Sequence, residues 1–114
     1  MLRPNTPEIM KNYVQLIGRC GDAPELRTTS TGKQTARVSV ATNNTYKNAD
    51  GDRVESTPWH RVTGWNRTAE LMGDKLAKGQ RVLVEGSLQY RKFEDKEGVT
   101  RYFTEIIAQR FVAL

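Results

Sequence analysis

Trp59 and Trp65 stand six residues apart in Thr57 to Trp65, a stretch whose composition and alternation read as a β-strand. On a strand, residues an even number apart point to the same side. The two indoles therefore share a face with Arg61 and Thr63, and His60, Val62 and Gly64 take the other. Phe93 has the parity of Arg91, and both share a side with Arg81, Ser87 and Gln89, opposite Val82, Val84 and Leu88. A ring turned outward beside a guanidinium offers a flat π-surface and a fixed cation together. An unpaired nucleobase beside its phosphate needs that combination, because every base has a π-face whatever its identity. Tyr46 breaks parity with Arg37 and Asn43, so it joins this set by its place at the edge of a hairpin loop. The cations that could follow a phosphate backbone are Lys33, Arg37, Lys47, Arg53, Arg61, Arg67, Arg91 and Lys92, some of them being ordinary solvated surface.

Hydrolytic chemistry has less to draw on. A metal-assisted nuclease would need clustered carboxylates. The candidates Asp50, Asp52, Glu55, Glu94, Asp95 and Glu97 fall in two charged loops beside Lys and Arg, where solvated surface is the simpler reading. There is no Gly-rich phosphate loop, no nucleophile elbow and no His/Cys cluster at metal spacing. The expectation is a protein that is not an enzyme and takes no cofactor or metal. His60, lone and inward by parity, reads as structural.

The elements that would position these residues are mostly strands. Tyr13 to Arg19 is an apolar, β-branched run closed by Gly18 and Gly21, resumed at Glu25 to Arg27 after a bulge at Asp22, Ala23 and Pro24. Thr28 to Lys33 is a Thr-, Ser- and Gly-rich loop. Thr35 to Thr45 alternates, with Ala36, Val38 and Val40 on one side and Arg37, Ser39 and Asn43 on the other. The turn cluster from Lys47 to Asp52 makes a long hairpin to the third strand. From Asn66 to Ala77 the period changes: Ala69, Leu71, Met72, Leu76 and Ala77 recur at helical spacing, with Asn66 as N-cap and Gly79 as terminator. Gln80 to Phe93 and Thr100 to Leu114 supply two more strands around a charged loop, Glu94 to Gly98. Three strands, a helix and two strands is the order of the all-β OB-fold, a five-stranded Greek-key barrel with a helix between strands 3 and 4.

The whole chain agrees with one such domain. It has 114 residues, is 37% hydrophobic and 27% charged, and carries 18 Lys and Arg against 13 Asp and Glu, a net charge of +5. That balance suits a polyanionic partner. A single cysteine, Cys20, rules out an internal disulfide and fits a reducing compartment. No apolar run reaches the length of a membrane span or signal-peptide core. Residues 1–12, with Pro4 and Pro7, read as a flexible N-terminal extension containing a candidate second start at Met10, and 13–114 as the OB-fold domain.

Several segments also resemble bacterial single-stranded DNA-binding proteins. Val14 to Arg27 (VQLIGRCGDAPELR) is similar to their opening, Val38 to Thr42 (VSVAT) to their second strand, and Thr57 to Val62 (TPWHRV) to their third. Lys78 to Leu88 (KGQRVLVEGSL) and Tyr90 to Phe93 (YRKF) are similar to their fourth. The match runs in order over about residues 12–112. The resemblance implies a homotetramer, a dimer of dimers, that wraps single-stranded DNA with little sequence preference and protects it during replication, recombination and repair, in the cytoplasm with the nucleoid. It implies base stacking at Tyr46, Trp59, Trp65 and Phe93. Relatives often have tryptophan at the positions of Tyr46 and Phe93 and phenylalanine at that of Trp65, so aromatic character persists through each exchange. The residue after the third-strand tryptophan, His60 here, supports assembly in relatives. A Gly- and Pro-rich linker with an acidic tip that recruits repair and replication enzymes in relatives has no counterpart before Leu114, which leaves two alternatives open: a truncated chain, or a protein that binds DNA without recruiting partners through such a tail. Two neighbouring readings differ in their aromatics or their sugar: a primosome-type assembly factor would lack the stacking rings, and an RNA binder would exploit the 2′-hydroxyl.

Overall fold

The computed structural model describes residues 11–114, so positions 1–10 of the expected extension, Met10 included, lie outside the described residues. The chain order is β1 (Val14–Cys20), β2 (Glu25–Thr28), β3 (Gln34–Ala41), β4 (Asn44–Lys47), β5 (Arg53–Ser56), β6 (Trp59–Trp65), α1 (Arg67–Lys75), β7 (Arg81–Glu94) and β8 (Thr100–Ala113). Hydrogen bonding links the strands in the order β1-β7-β8-β6-β3-β2, and β1 also pairs with β3, which closes a five-stranded ring with β2 on its edge. β1 closes it by changing partners: Val14 to Arg19 runs against β7, and Arg19 and Cys20 then face Ala41 and Val40 of β3. The other unusual joint is the short parallel pairing of Arg61, Val62 and Thr63 with Glu105, Ile106 and Ile107.

Alternation fills the ring as the sequence implies. Val38, Val40, Val62, Val82, Val84 and Ile106 are buried from four different strands, and Val14, Leu16 and Phe111 pack against them. In β8 the register slips by one residue opposite Glu85 and Gly86, a bulge that leaves Gln109 unpaired and bends the strand around the barrel. Cys20 is buried at the end of β1. Its amide donates to the Gln80 carbonyl, its carbonyl accepts from Gly79, and burial pushes its thiol pKa up. It is a packing residue.

α1 closes one end of the barrel. Ala69 and Met72 are buried on it, with Leu76 following at the next inward position. The close approach is made at Gly64 of β6, where an added Cβ would run into Met72 Sδ. The helix start departs from the expectation. Asn66 takes the N-cap position with φ 53° but makes no side-chain cap bond. Its amide instead donates to the Gln34 carbonyl and its own carbonyl accepts from Glu70, so the backbone turn is fixed by β3. The helix also ends earlier than Gly79. Lys75 is its last residue, Leu76 closes it through Met72, and Gly79 (φ 81°) serves the turn that clips onto Cys20.

One expected strand proves to be broken. The Thr35 to Thr45 run divides at Thr42 and Asn43, because Pro58 on the returning chain has no amide to continue the ladder. One bond from the Thr42 amide to the Pro58 carbonyl (3.1 Å) holds the break together. Beyond it β4 and β5 form a separate two-stranded sheet with Tyr46 opposite Val54 and Lys47 opposite Arg53. The β7–β8 hairpin instead runs unbroken past the barrel as a long arm. Its tip is locked by Asp95, which accepts from the Glu97 and Val99 amides and from Arg101. The Val99 amide and the Arg101 guanidinium hold its carboxyl below the usual carboxylate range. At the arm's base, Asn12 exchanges two hydrogen bonds with the Leu88 backbone (2.7 and 3.0 Å), so the end of the expected extension is tied to the barrel.

Candidate nucleic-acid interface

The outward residues of β3, β6, β8 and β7 line one concave face. Register places Ser39 beside Arg61 and Arg37 beside Thr63, and Glu105 lies beside Arg61 across the parallel joint. Between these strands and the Gly21–Ala23 turn lies an open cleft of about 590 Å³, lined among others by Gly21, Arg37, Ser39, Trp59, Arg61 and Phe103.

Trp59 is the firmest fixture of this face. A Cβ on Gly21 would sit 2.5 Å from Cζ3 and 3.0 Å from Cη2 of the indole, so the six-membered end of the ring packs closely against Gly21. Gly21 is in turn held by its amide bond to the Ser39 carbonyl (2.8 Å). Yet Trp59 remains 60% exposed. A ring supported on one side and open on the other is a ready stacking platform. The Gly21→Ala substitution is expected to tilt the indole, visible as a shift in tryptophan emission without a change in the unfolding midpoint.

A second aromatic group faces it across the cleft. The Arg61 guanidinium lies 4.4 Å above the centroid of Phe103, and Phe103 meets Phe93 at 5.8 Å with a 57° tilt. Phe93 is half exposed at 48%. The cation–π contact fixes the Arg61 side chain in place beside the rings. Phe103 is the residue that the sequence reading missed. It has the parity of Arg101 and Glu105 and lies directly opposite Arg91, so alternation along the last strand, paired with the fourth, contained the signal.

The same face holds an acid. Glu105 is 3% exposed. It accepts from Thr63 Oγ1 (3.0 Å) and Arg91 Nε (2.5 Å), so both oxygens are satisfied. Arg91 is therefore engaged before any ligand arrives. This also explains why Thr63, outward by parity, is buried.

The remaining expected residues are spread more widely. Trp65 shares the Trp59 face but sits half-buried at the other end of β6, opposite Thr35. Tyr46 is exposed on the β4–β5 hairpin, on the side away from Lys47 and Arg53. Lys33 is exposed in the turn before β3. Arg67 pairs with Glu70 one helical turn on (3.3 Å). Lys92 projects from the reverse of the arm, opposite Tyr102, and does not join Arg91 and Phe93. His60 turns inward as parity requires, its Nε2 2.9 Å from Thr42 Oγ1 at the strand break. Among the described residues no three His, Cys, Asp or Glu come together as a metal site, and no helix is long and apolar enough to cross a membrane.

A closed five-stranded ring, capped by one helix and carrying an aromatic–arginine cleft across its outer strands, defines an OB-fold of the ligand-binding kind. The family model described as "Single-strand binding protein family" matches residues 11–114, and the chain belongs to that family. It is 45% identical over 104 residues to single-stranded DNA-binding protein 1 of Xylella fastidiosa, covering 90% of this chain and 76% of that one. It is 40% identical over 103 residues to the single-stranded DNA-binding protein of Xanthomonas axonopodis pv. citri, covering 90% of this chain and 57% of that one. Among solved structures, the Plasmodium falciparum SSB in complex with ssDNA superposes with a TM-score of 0.85 at 31% identity, covering 96% of this chain and 99% of that one. An engineered variant of the single-stranded DNA-binding protein from Thermus aquaticus gives 0.79 at 32%, covering 91% and 50%.

Proposed function

We propose that this chain binds single-stranded DNA with little sequence preference, and that it protects the exposed strand during replication, recombination and repair. The observation that carries the reading is the Trp59 indole, seated on Gly21, open to solvent and flanked by Arg61 and Arg37. Bases stack on Trp59, on the Phe93–Phe103 pair, on Trp65 and on Tyr46 of the hairpin. Arg37 and Arg61 meet phosphates in the cleft, and Lys33 extends the track beyond it. Lys47 and Arg53 stand side by side on one face of the hairpin, and a phosphate between them relieves their repulsion. Arg67, already paired at the surface, contributes less.

Oligo(dT) is expected to quench the fluorescence of Trp59 and Trp65, with an affinity that falls as salt rises by about 0.7 logarithmic units per phosphate contact. Unchanged fluorescence together with no mobility shift at low salt would overturn the reading. Matched RNA and duplex titrations rank the ligand classes. The Glu105→Gln substitution keeps two hydrogen-bond partners but releases the charge of Arg91. The salt dependence of binding should then steepen by about 0.7 in the same logarithmic plot. An unaltered slope would mean that Arg91 never reaches a phosphate.

The working form is a homotetramer. An apolar row supports it: Ile17, Leu83 and Val112 align across β1, β7 and β8 on the outer face, and Ile17 is 52% exposed. His60, packed at the break between hairpin and barrel, is assigned to assembly. Light scattering at micromolar concentration tests the tetramer, and a monomer there would count against it. The setting is the cytoplasm, with the nucleoid.

A further inference from the structure

The β7–β8 arm has two faces, and only one of them belongs to the cleft. The reverse face carries Tyr90, Lys92 and Tyr102. Register sets Tyr90 opposite Thr104 and Lys92 opposite Tyr102, so the two tyrosines are diagonal neighbours and Lys92 is next to both, across from Tyr102 and two residues along the strand from Tyr90. They are 74% and 73% exposed, the most open large apolar side chains among the described residues. Nearer the barrel this same face passes through Leu88, still 36% exposed, to the buried Ile106 opposite it, so the tyrosines lie beyond the point where the lining of the barrel emerges into solvent.

The two faces communicate. A notch of about 200 Å³ opens at the base of the arm, lined by Trp59, Arg61, Leu88, Thr104 and Ile106. Trp59 and Arg61 border both this notch and the main cleft. A strand stacked on Trp59 therefore stands at a fork, with Phe103 and Phe93 on the front of the arm and Tyr90 on the back. The diagonal spacing of the tyrosines, about 7–8 Å, is about twice the 3.4 Å rise of a strand in a duplex. An extended single strand reaches that spacing with one base per ring.

We infer that the reverse face of the arm is a second track for the same polynucleotide, in which Tyr90 and Tyr102 stack bases and Lys92 meets the intervening phosphate. The inference rests on the single-strand-binding reading above and adds a site to it. The track ends before the tip, where Glu94 on the same face would repel a phosphate. A protein partner is the competing occupant, and continuity with the cleft through Trp59 together with a lysine beside both tyrosines favours the nucleic acid.

The test compares the full chain with a Tyr90→Ala, Tyr102→Ala variant on two probes, a short oligo(dT) that fills only the cleft and one several times longer. The expected result is unchanged affinity for the short probe, about tenfold or greater weakening for the long one, and fewer nucleotides occluded per protomer on poly(dT). A Tyr90→Phe, Tyr102→Phe variant, which keeps both rings, should bind like the parent. Equal affinity and equal occluded length for the alanine variant would overturn the inference. So would a loss of affinity that accompanies a smaller mass by light scattering, since the face would then be a subunit contact. A parent protein that binds neither probe would instead overturn the single-strand-binding reading itself, which keeps the two failures distinguishable.

Discussion

Replacing Trp59 with alanine is expected to weaken binding of oligo(dT) by about five- to hundredfold, while the urea unfolding midpoint hardly moves. The magnitude follows from stacking contributions of about 1–3 kcal/mol per base, a range known from OB-fold single-strand binders, this family among them. The separation of effects follows from geometry. The indole packs against Gly21 on one side and meets water on the other, so its removal opens no cavity in the core. A loss of stability below about 1 kcal/mol is the expectation for so exposed a side chain. Fluorescence is unsuitable for this variant, because it removes one of two reporters; a mobility shift or anisotropy with labelled oligo(dT) reads the change directly. A variant that collapses into insoluble material would show that the ring supports the core.

The converse result is expected at Met72. It is 1% exposed, among the largest fully buried side chains, and its sulfur lies against Gly64 where the helix meets β6. The Met72→Ala substitution leaves a cavity that neither the glycine nor the neighbouring Ala69 can fill. The expected loss is about 2–5 kcal/mol of folding stability, a large part of the roughly 5–15 kcal/mol that a domain possesses. Urea titration measures it. At a temperature where the variant is still folded, its affinity for oligo(dT) should match the parent, because Met72 packs at the end of the barrel and Trp59, Arg61 and Arg37 line the cleft. A stable Met72→Ala protein would mean that the helix is not held by this contact.

Alternation makes much of this legible in the sequence. The inward set Val38, Val40, Val62, Val82 and Val84, the outward set Trp59, Arg61, Arg91 and Phe93, and the helix between them all follow from periods of two and about 3.6 residues. Departures came where a bond to a distant part of the chain outweighed a local preference. Asn66 reads as a side-chain cap in sequence, but Gln34 fixes the turn instead. The single run expected from Thr35 to Thr45 breaks because Pro58, in the connection before β6, cannot donate to it. Phe103 escaped because its role depends on Arg61, forty-two residues away and reached only through a parallel joint. Glu105 was silent for the same reason: a buried acid is recognisable only once Thr63 and Arg91 are beside it.

That parallel joint bears on how the chain is made. β8 comes after every other strand of the ring in chain order, yet it forms one wall of the barrel and contacts both β7 and β6. Until Thr104 to Ile107 have left the ribosome, the emerging polypeptide has no means of closing the ring, and Val62 and Val84 lack Ile106 as a neighbour. Pairings so remote along the chain are slow to find. Folding is thus a late, nearly all-at-once event, and a nascent chain paused after Phe93 would own its tryptophans without a barrel to hold them.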